Sequence, residues 1–347
     1  MITPNTFVSH RLVGDRVNKL RRQWLGAGGV AGFSGAFGLT AFSSSSLAQS
    51  FPNRPIKLIV GYPPGGSGDF VSRVTAEAMT RELGVQVLVE NRPGAAGVLA
   101  SDAVAKAAPD GYTILNAGTP AVLKALYKKL PYNPETDFAP ISLAAVGAMV
   151  ICVNNDVPVR NLAELIAYGK ANPGKLFSAA SGNGSAPHLA SARFEIVTGV
   201  KLTTVQYKGG SPAAVALMSG ETQIMFATAP TVLGFIKAGR MRALALTTAA
   251  ESPSIPGIQG ARAAGLAGYD EDFSFGLYAP AQTPPEIVRR LHDAALKGLS
   301  RPEVRDKVAS QGMDAAPSKS PDAFRAAIKE ESKDVERRIA ETGAKIE

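Results

Sequence analysis

The chain has 347 residues, of which 45% are apolar and 19% are charged, a balance that supports two compact domains and argues against extensive disorder. Its formal net charge of +8 divides equally: residues 1–48 contain five basic residues and one acidic residue, and the remainder contains 32 and 28. That charge is too diffuse for a nucleic-acid-binding protein. The single cysteine, Cys152, excludes an internal disulfide and a thiolate metal cluster.

Residues 1–48 have the pattern of a cleaved export signal. Arg21 and Arg22 precede a glycine-rich, weakly apolar run, and Ser46-Leu47-Ala48 provides the small residues that signal peptidase reads. Paired arginines before a mild apolar core resemble a twin-arginine signal. A membrane anchor is the alternative, which glycine and serine in the run disfavour. We therefore expect a signal peptide over 1–48 and a mature protein that begins just before Phe51, outside the cytoplasm.

Strand and helix patterns alternate over the first part of the mature chain. Strands are predicted at 56–60, 85–90 and 113–116, and helices over 70–83 and 97–107. Two consecutive strand–helix–strand units of this length predict a parallel sheet with helices on its faces.

A second alternating series follows. It predicts strands at 149–153, 176–179, 203–206, 223–226 and 243–247, and helices at 161–171, 187–197, 212–219 and 231–238. After a coil rich in proline and glycine comes a strand at 273–278, then helices near 284–298, 302–311 and 320–342. Two α/β units fit this order better than one large sheet.

Loops rich in glycine, serine and proline follow the predicted strands. They are 61–69, 91–97, 117–121, 180–188 and 207–212. The first of them, GYPPGGSGD, leads from a strand into an amphipathic helix, and unpaired N–H groups at a helix N-terminus attract anions. Ligands of open parallel sheets bind at the carboxyl ends of the strands. Together the loops predict a cleft lined mostly by backbone and suited to a carboxylate or a phosphate.

Motifs for the common enzyme classes are incomplete. Residues 169–175 nearly match a phosphate-binding loop, but Leu176 occupies the hydroxyl position that magnesium requires, and no dinucleotide GxGxxG or hydrolase GxSxG is present. Ser185 and His188 could form a catalytic pair without a visible acidic partner; alternatively His188 shapes its loop. His292 is expected on a surface helix, and no metal-ligand cluster or cofactor motif is visible.

An ordered set of motifs resembles the tripartite tricarboxylate transporter (Bug-type) family of periplasmic solute-binding proteins. The motifs span nearly the whole mature chain: YPPGGSGD (62–69), ENRPGAAG (90–97), APDGYTIL (108–115), LYKKLPYNPETDFAPIS (126–142), ANPGKL (171–176), GNGSAPHLA (182–190), YKGGSPA (207–213), IKAGRMRALALT (236–247) and GLYAPAQTPPEIVRRL (276–291).

The resemblance implies an α/β, two-lobed periplasmic binding protein fold (type 2-like) with a hinge between the lobes. Lobe one would comprise 51–148 plus 272–347, and lobe two 149–271. The implied role is capture of a small carboxylate, without cofactor or catalysis, by a monomer that delivers it to the membrane subunits of a tripartite transporter. A periplasmic sensor of the same fold and a Ser/His hydrolase are the alternatives.

The resemblance also implies which residues form the site. The ligand-binding positions are Tyr62, Gly65, Gly66, Ser67, Asp69, Thr119, Ala121, Ser181, Gly184, Ser185, His188, Tyr207, Lys208, Gly209, Gly210, Ala227 and Thr228. Main-chain N–H groups and ordered waters would hold one carboxylate. Asp69 is expected to cap its helix or bind structural water, and Lys208 is the one cationic candidate in these loops.

The chain departs from the family pattern at three places that bear on the ligand. Apolar residues follow Pro120 where relatives often have hydroxyls and an imidazole, Gln223 and Ala227 stand where Asp is common, and Phe275 replaces a common Trp. Because 227–229 offers no carboxylate for an ammonium group, we expect a monocarboxylate or dicarboxylate with an apolar or aromatic body, rather than an amino acid.

Overall fold

The computed structural model describes residues 51–118, 124, 127 and 129–342. The predicted signal peptide over 1–48, the predicted site residues Thr119 and Ala121, and the last five residues of the expected lobe one lie outside the described residues.

The first strand–helix units form as the sequence pattern predicts. β1 (Ile56–Val60), α1 (Ser67–Leu83), β2 (Val87–Asn91), a 3₁₀ turn (Ala95–Gly97), α2 (Val98–Ala105) and β3 (Thr113–Ala117) follow one another. β1 is the central strand of three and pairs in parallel with both neighbours, with Leu58 opposite Val89 and Ile114. Its apolar run is buried because helices cover both faces of a parallel sheet.

The longest strand, β4 (Phe138–Val153), is only partly predicted by the sequence. The pattern indicates 149–153, whereas the strand begins eleven residues earlier. Pro140 and Gly147 lie in this first part and read as turn residues, and nearly every residue is buried, so no polar alternation marks it. Pro140 is accommodated next to an irregularity in the pairing, where a missing backbone donor costs little.

The second series supplies the next elements. They are α3 (Leu162–Ala171), β5 (Phe177–Ala180), α4 (Ala186–Thr198), β6 (Thr203–Gln206), α5 (Gly210–Met218), β7 (Ile224–Thr228), α6 (Ala229–Lys237) and β8 (Arg242–Leu246). β5 pairs in parallel with β6 and β7. Apart from β4, the predicted strands and helices end within three residues of the observed ones.

The C-terminal part returns to the first set of strands. It comprises β9 (Asp272–Pro280), α7 (Pro285–Leu299), α8 (Pro302–Ala309), β10 (Asp314–Ala315) and α9 (Pro321–Thr342). β9 lies between β3 and β4 and is antiparallel to both. α7 packs against α1, and α9 contacts β4, α7 and α4. No helix among the described residues is long and apolar enough to cross a bilayer.

Two groups of strands meet at β4. Residues 138–148 of β4 pair with β9, and residues 149–153 pair with β7 and β8. We name β1, β2, β3, β9, β10 and residues 138–148 the first sheet segment, and β5 to β8 with residues 149–153 the second sheet segment. The core continues across β4: buried residues from both segments form one apolar cluster.

His292 corrects one expectation from the sequence. It is 4% exposed, and its Nε2 lies 2.9 Å from the carbonyl oxygen of Ser318. α7 buries one face, with Val288, Leu291 and Ala295 on it, and His292 is placed on this face rather than on the surface. A histidine there is tolerated because the carbonyl accepts its N–H, which avoids an unpaired buried polar group.

Phe194 gives a test of the packing under α4. Its ring is fully buried and contacts Phe226 and Tyr269, with centroids 5.4 and 6.2 Å away. We expect Phe194→Ala to lower the free energy of unfolding by about 3–5 kcal/mol, since a large cavity would remain. Urea denaturation measures this. Ile196→Ala, two residues along the same helix at a side chain 44% exposed, is the control and should change stability by less than about 1 kcal/mol. Equal losses in both variants would contradict this packing.

Candidate functional site

A cavity of about 240 Å³ lies where loops of the two sheet segments meet. The loop after β1 and residues 273–275 of β9 form one side, and the starts of α4, α5 and α6 form the other. The volume is slightly below the usual 300–1,000 Å³ of ligand pockets, which is a size that suits a small molecule.

Asp69 holds the loop after β1 in shape. Its Oδ2 accepts hydrogen bonds from the Gly65 backbone N–H and from Arg73 Nε, both at 3.0 Å, and its Oδ1 accepts one from Asn91 Nδ2 at 2.9 Å. Asn91 also donates to the Tyr62 carbonyl oxygen. Burial alone would raise the pKa of Asp69, but these donors outweigh burial and hold the pKa below its ordinary value. Asp69 therefore fixes the loop and does not face the cavity.

The N-terminus of α1 is left open toward the cavity. Gly66 is its N-cap residue and provides no side-chain cap, and Gly66, Ser67 and Gly68 line the cavity. Among the described residues, no hydrogen-bond acceptor is assigned to the backbone N–H groups of these three residues. Asp69 thus does not cap the helix as the sequence suggested, because it accepts from Gly65, one residue before the N-cap. These donors and the helix dipole favour a negative charge at this point.

Three helices of the second sheet segment also begin at the cavity. The wall includes Gly184, Ser185 and Ala186 at the start of α4, Gly209 to Pro212 at the start of α5, and Thr228 before α6. Each of these helices follows the carboxyl end of a strand of the second segment. Helix N-termini from both sheet segments therefore converge on one small volume, a geometry suited to an anion.

The two sides of the cavity touch at Pro63 and Gly209. Gly209 has a φ of +116°, and a Cβ built on it would lie 3.0 Å from Pro63 Cγ. Glycine is favoured there both by the backbone conformation and by the close approach of the proline ring.

Tyr62, the residue before Pro63, packs edge-on against Phe275 with ring centroids 5.6 Å apart, and its hydroxyl accepts the Gly118 N–H. Burial raises the pKa of Tyr62 above its ordinary value.

The structure brings together part of the predicted site. The predicted residues that line the cavity are Tyr62, Gly66, Ser67, Ser181, Gly184, Ser185, Gly209, Gly210 and Thr228. The predicted residues that do not line it are Gly65, Asp69, His188, Tyr207, Lys208 and Ala227.

The predicted residues outside the wall have other roles or positions. The His188 Nδ1 accepts the Gly184 N–H, the Tyr207 hydroxyl donates to Glu221 Oε1 at 2.7 Å, and Ala227 is fully buried. Lys208 is exposed to solvent. His188, Tyr207 and Ala227 thus lie outside the cavity wall and make contacts within the protein.

Ser185 and His188 are not arranged as a nucleophile and its base. The Ser185 Oγ accepts a hydrogen bond from the His188 backbone N–H at 3.4 Å, which is a helix-capping contact. The imidazole turns its Nδ1 toward Gly184, and burial lowers its pKa. The described residues also contain no group of three His, Cys, Asp or Glu side chains that could hold a metal ion.

The sequence reasoning missed four charged side chains in the cavity wall. Arg193 comes from α4, Glu271 from the residue just before β9, Asp272 from the first residue of β9, and Glu331 from α9. Each of the four takes part in an interaction within the protein. Arg193 could have been found, since Ala186, Leu189 and Arg193 recur at helical spacing on one face of α4, after a loop already predicted to bind. The acidic residues reach the cavity only through the course of β9 and α9.

Comparisons with known proteins agree with this geometry. Residues 71–344 match the family model described as "Tripartite tricarboxylate transporter family receptor". Protein BugT of Bordetella pertussis is 34% identical over 302 residues, which cover 86% of this chain and 92% of BugT.

Two solved structures share the fold. Rpa4515 of R. palustris with adipate has a TM-score of 0.82 at 30% identity, over 85% of this chain and 100% of that one. MatC of Rhodopseudomonas palustris with bound malate has a TM-score of 0.78 at 29% identity, over 83% and 100%. The expected α/β, two-lobed periplasmic binding protein fold is confirmed by these likenesses.

Asp69→Asn tests the support of the α1 loop. We expect a loss of about 2 kcal/mol in the free energy of unfolding at pH 7, since charge-assisted hydrogen bonds are weakened. Because the folded pKa lies below the ordinary value of 3.8, the carboxylate stabilises the fold above that pH and loses this effect as the pH falls through the folded pKa. Chemical denaturation from pH 7 to pH 3 should therefore show the two proteins converging at low pH.

Glu90→Gln is the matched control for this variant, because Glu90 forms an exposed pair with Arg92 beside the same loop. It should change stability by less than about 1 kcal/mol. An Asp69→Asn protein as stable as wild type at pH 7 would contradict the role given to Asp69.

Proposed function

The chain belongs to the tripartite tricarboxylate transporter receptor family, the Bug-type periplasmic solute-binding proteins, and on that premise we propose that it captures a small carboxylate in the cavity between its lobes. One observation supports this most directly: helix N-termini from both sheet segments converge on one cavity. The relatives with bound adipate and malate are consistent with a carboxylate as the anion.

In the proposed complex, one carboxylate of the ligand accepts hydrogen bonds from the backbone N–H groups of Gly66, Ser67 and Gly68 on one side. Gly210 and the hydroxyls of Ser185 and Thr228 complete the binding from the other. Backbone donors suit this task because they are held in place before the ligand arrives, so little conformational entropy is lost on binding. Tyr62 and Phe275 provide an apolar surface for the body of the ligand.

We propose lobe boundaries at 51–148 plus 272–347 and at 149–271, with β4 and β9 as the connections that bend. A ligand that contacts both lobes stabilises the closed arrangement, because it gains its full set of hydrogen bonds only there. The Pro63–Gly209 contact supports the view that the present arrangement is the closed one.

We propose that the protein delivers its ligand to the membrane subunits of a tripartite transporter, a role that the family description supports and that needs no catalytic step or cofactor. We propose that the mature protein acts in the periplasm as a monomer, after export directed by residues 1–48 through the twin-arginine route. The capping contact between Ser185 and His188 supports binding rather than hydrolysis.

A calorimetric screen of the mature protein tests the carboxylate proposal. Hexanoate, adipate and malate should be compared with hexanamide and adipamide at pH 7. We expect at least one acid to bind and its amide not to, because the helix N-termini favour negative charge. A ligand at 100 times its Kd should also stabilise the fold by about 2.7 kcal/mol in thermal unfolding. Binding of the amides as tightly as the acids, or of no acid in a wider panel, would refute the proposal.

Gly209→Ala tests closure at the cavity. The added Cβ meets Pro63 across the cleft, and we expect the affinity for the carboxylate found above to fall by about tenfold. Gly174→Ala is the control, because Gly174 has a φ of +80° with open space around it and lies away from the cavity. Both variants place an alanine at a positive φ, and the backbone of Gly209 (φ +116°, ψ 172°) is the more restricted to glycine, so thermal unfolding of both variants accompanies the Kd measurement. Only Gly209→Ala should change the Kd. An equal change in the Kd of both variants would show that closure of the cavity is not the cause.

A further inference from the structure

We propose that the hydroxyls of Tyr62 and Ser101, with that of Tyr132 next to Ser101, bind an uncharged oxygen of the ligand, such as a hydroxyl or a carbonyl group. We name these three residues the hydroxyl recess. The inference rests on the proposed function, because it assigns a second contact to a ligand whose carboxylate is held at the N-terminus of α1. It narrows the substrate class to monocarboxylates that carry a neutral oxygen.

The hydroxyls of the recess lack acceptors for their protons. Ser101 lines the cavity and is 1% exposed. The Tyr62 hydroxyl accepts the Gly118 N–H at 3.3 Å, and among the described residues no acceptor is assigned to its own proton. The Tyr132 hydroxyl is buried, and the described part of the chain offers it no hydrogen-bond partner. Because an unpaired buried hydroxyl is costly, these donors favour a ligand that brings an acceptor.

Tyr132 acts on the ligand through Ser101, because Tyr132 itself is not in the cavity wall. Burial raises the pKa of Tyr132 to about 12, although the nearby Ser101 hydroxyl lowers it in part, so the phenol keeps its proton at neutral pH. The two hydroxyls do not form a hydrogen bond of normal geometry. A rotation of Ser101 toward Tyr132 lets the phenol donate to Ser101 Oγ, while the Ser101 proton turns to the ligand. Hydrogen bonds in such a chain strengthen one another.

The Tyr62 ring sets the distance between the α1 N-terminus and the recess. One edge of the ring lies against Gly68, where an added Cβ would be 2.4 Å from Tyr62 Cδ2. The far end of the ring carries the hydroxyl that accepts the Gly118 N–H. A ligand that lies along this ring, with its carboxylate at the Gly68 N–H, therefore places its other end one phenol ring away, at the Tyr62 hydroxyl.

Ser101 belongs to the same neighbourhood as the Tyr62 hydroxyl. α2 packs closely on the loop after β1, since a Cβ built on Gly61 would lie 3.4 Å from Ala100 Cβ, in the residue before Ser101. Tyr62 and Ser101 also both influence the pKa of Tyr132, for which burial is the larger cause. An oxygen that reaches the Tyr62 hydroxyl is therefore also near Ser101.

The wall around Ser101 suits a neutral group better than a charged one. The cavity-lining residues from the 3₁₀ turn, α2 and the end of β3 are all uncharged: Ala96, Gly97, Ser101, Ala117 and Gly118. Asp102, the next residue, pairs with Lys106 at 2.6 Å. A second ligand carboxylate would lose its hydration at this wall without a cation to replace it, whereas a neutral oxygen loses less and meets the same donors.

Two sets of acids, titrated calorimetrically into the mature protein at pH 7, test the inference. The aromatic set is 4-hydroxybenzoate, benzoate and terephthalate, and the aliphatic set is 5-oxohexanoate, hexanoate and adipate. In at least one set, we expect the acid with the neutral oxygen to bind about tenfold more tightly than the other two.

The other outcomes separate this inference from the proposed function. Tighter binding of terephthalate and adipate, or equal binding within both sets, would overturn the inference, while the carboxylate-binding function would stand. If none of the six acids binds, the inference fails, and binding of any other acid would still support the proposed function.

Substitutions in the recess give an independent measurement. Ser101→Ala should reduce the preference for the neutral-oxygen acid over its unsubstituted counterpart by about tenfold, and Tyr132→Phe by about threefold, because Tyr132 acts through Ser101. Tyr132→Phe should not lower the Tm, since the hydroxyl that it removes has no hydrogen-bond partner among the described residues.

Ser191→Ala is the matched control. Ser191 is also a helical serine that is 1% exposed, but it donates to the His188 carbonyl oxygen and is absent from the cavity wall. Its variant should keep the wild-type ligand preference. Thermal unfolding of each variant confirms that it folds. An unchanged preference in both Ser101→Ala and Tyr132→Phe would refute the hydroxyl recess.

Discussion

The architecture depends on one strand that belongs to two groups of strands. β4 pairs with β9 along its first part and with β7 and β8 along its last five residues. Because β4 is continuous, it joins the strands of the two segments. The loops at the carboxyl ends of those strands then line one cavity. This is the general position for ligands in open α/β sheets, here supplied from two sides. β4 and β9 are the connections at which we propose that the lobes bend.

Backbone groups rather than charged side chains form the part of the cavity where the helix N-termini converge, which is the proposed anion-binding end. The wall there consists of glycines, small hydroxyl residues and helix N-termini, and Lys208, the cation that the sequence singled out, is exposed to solvent. Side chains act on this end indirectly: Asp69, Arg73 and Asn91 form the network that holds the α1 loop. In the proposed function, this end of the cavity binds the group common to all carboxylates and leaves selectivity to the rest of the cavity.

Selectivity then falls to parts of the chain that come from elsewhere. Phe275 and Tyr62 form an apolar contact, and four charged residues of the cavity wall come from distant parts of the chain: Arg193, Glu271, Asp272 and Glu331. These residues are separated by up to 138 positions in the sequence, from Arg193 to Glu331. They can therefore be substituted without disturbing the proposed anion-binding loops.

The sequence by itself determined the alternation of strands and helices, their bounds to within three residues outside β4, and the glycine-rich turns that open the binding helices. These features follow from local periodicity and turn chemistry, which act over a few residues. Among the predicted site residues, Gly66, Ser185 and Gly209 each begin a helix and line the cavity.

The tertiary structure alone decided which neighbours of those residues line the cavity. The turn of the His188 ring toward Gly184 and the burial of Ala227 depend on packing within the second sheet segment. Glu271 and Glu331 reach the cavity because β9 and α9 return to it from distant parts of the chain. Sequence periodicity tells which face of a helix or strand a side chain occupies. Which residues pack against that face is set by contacts between elements far apart in sequence.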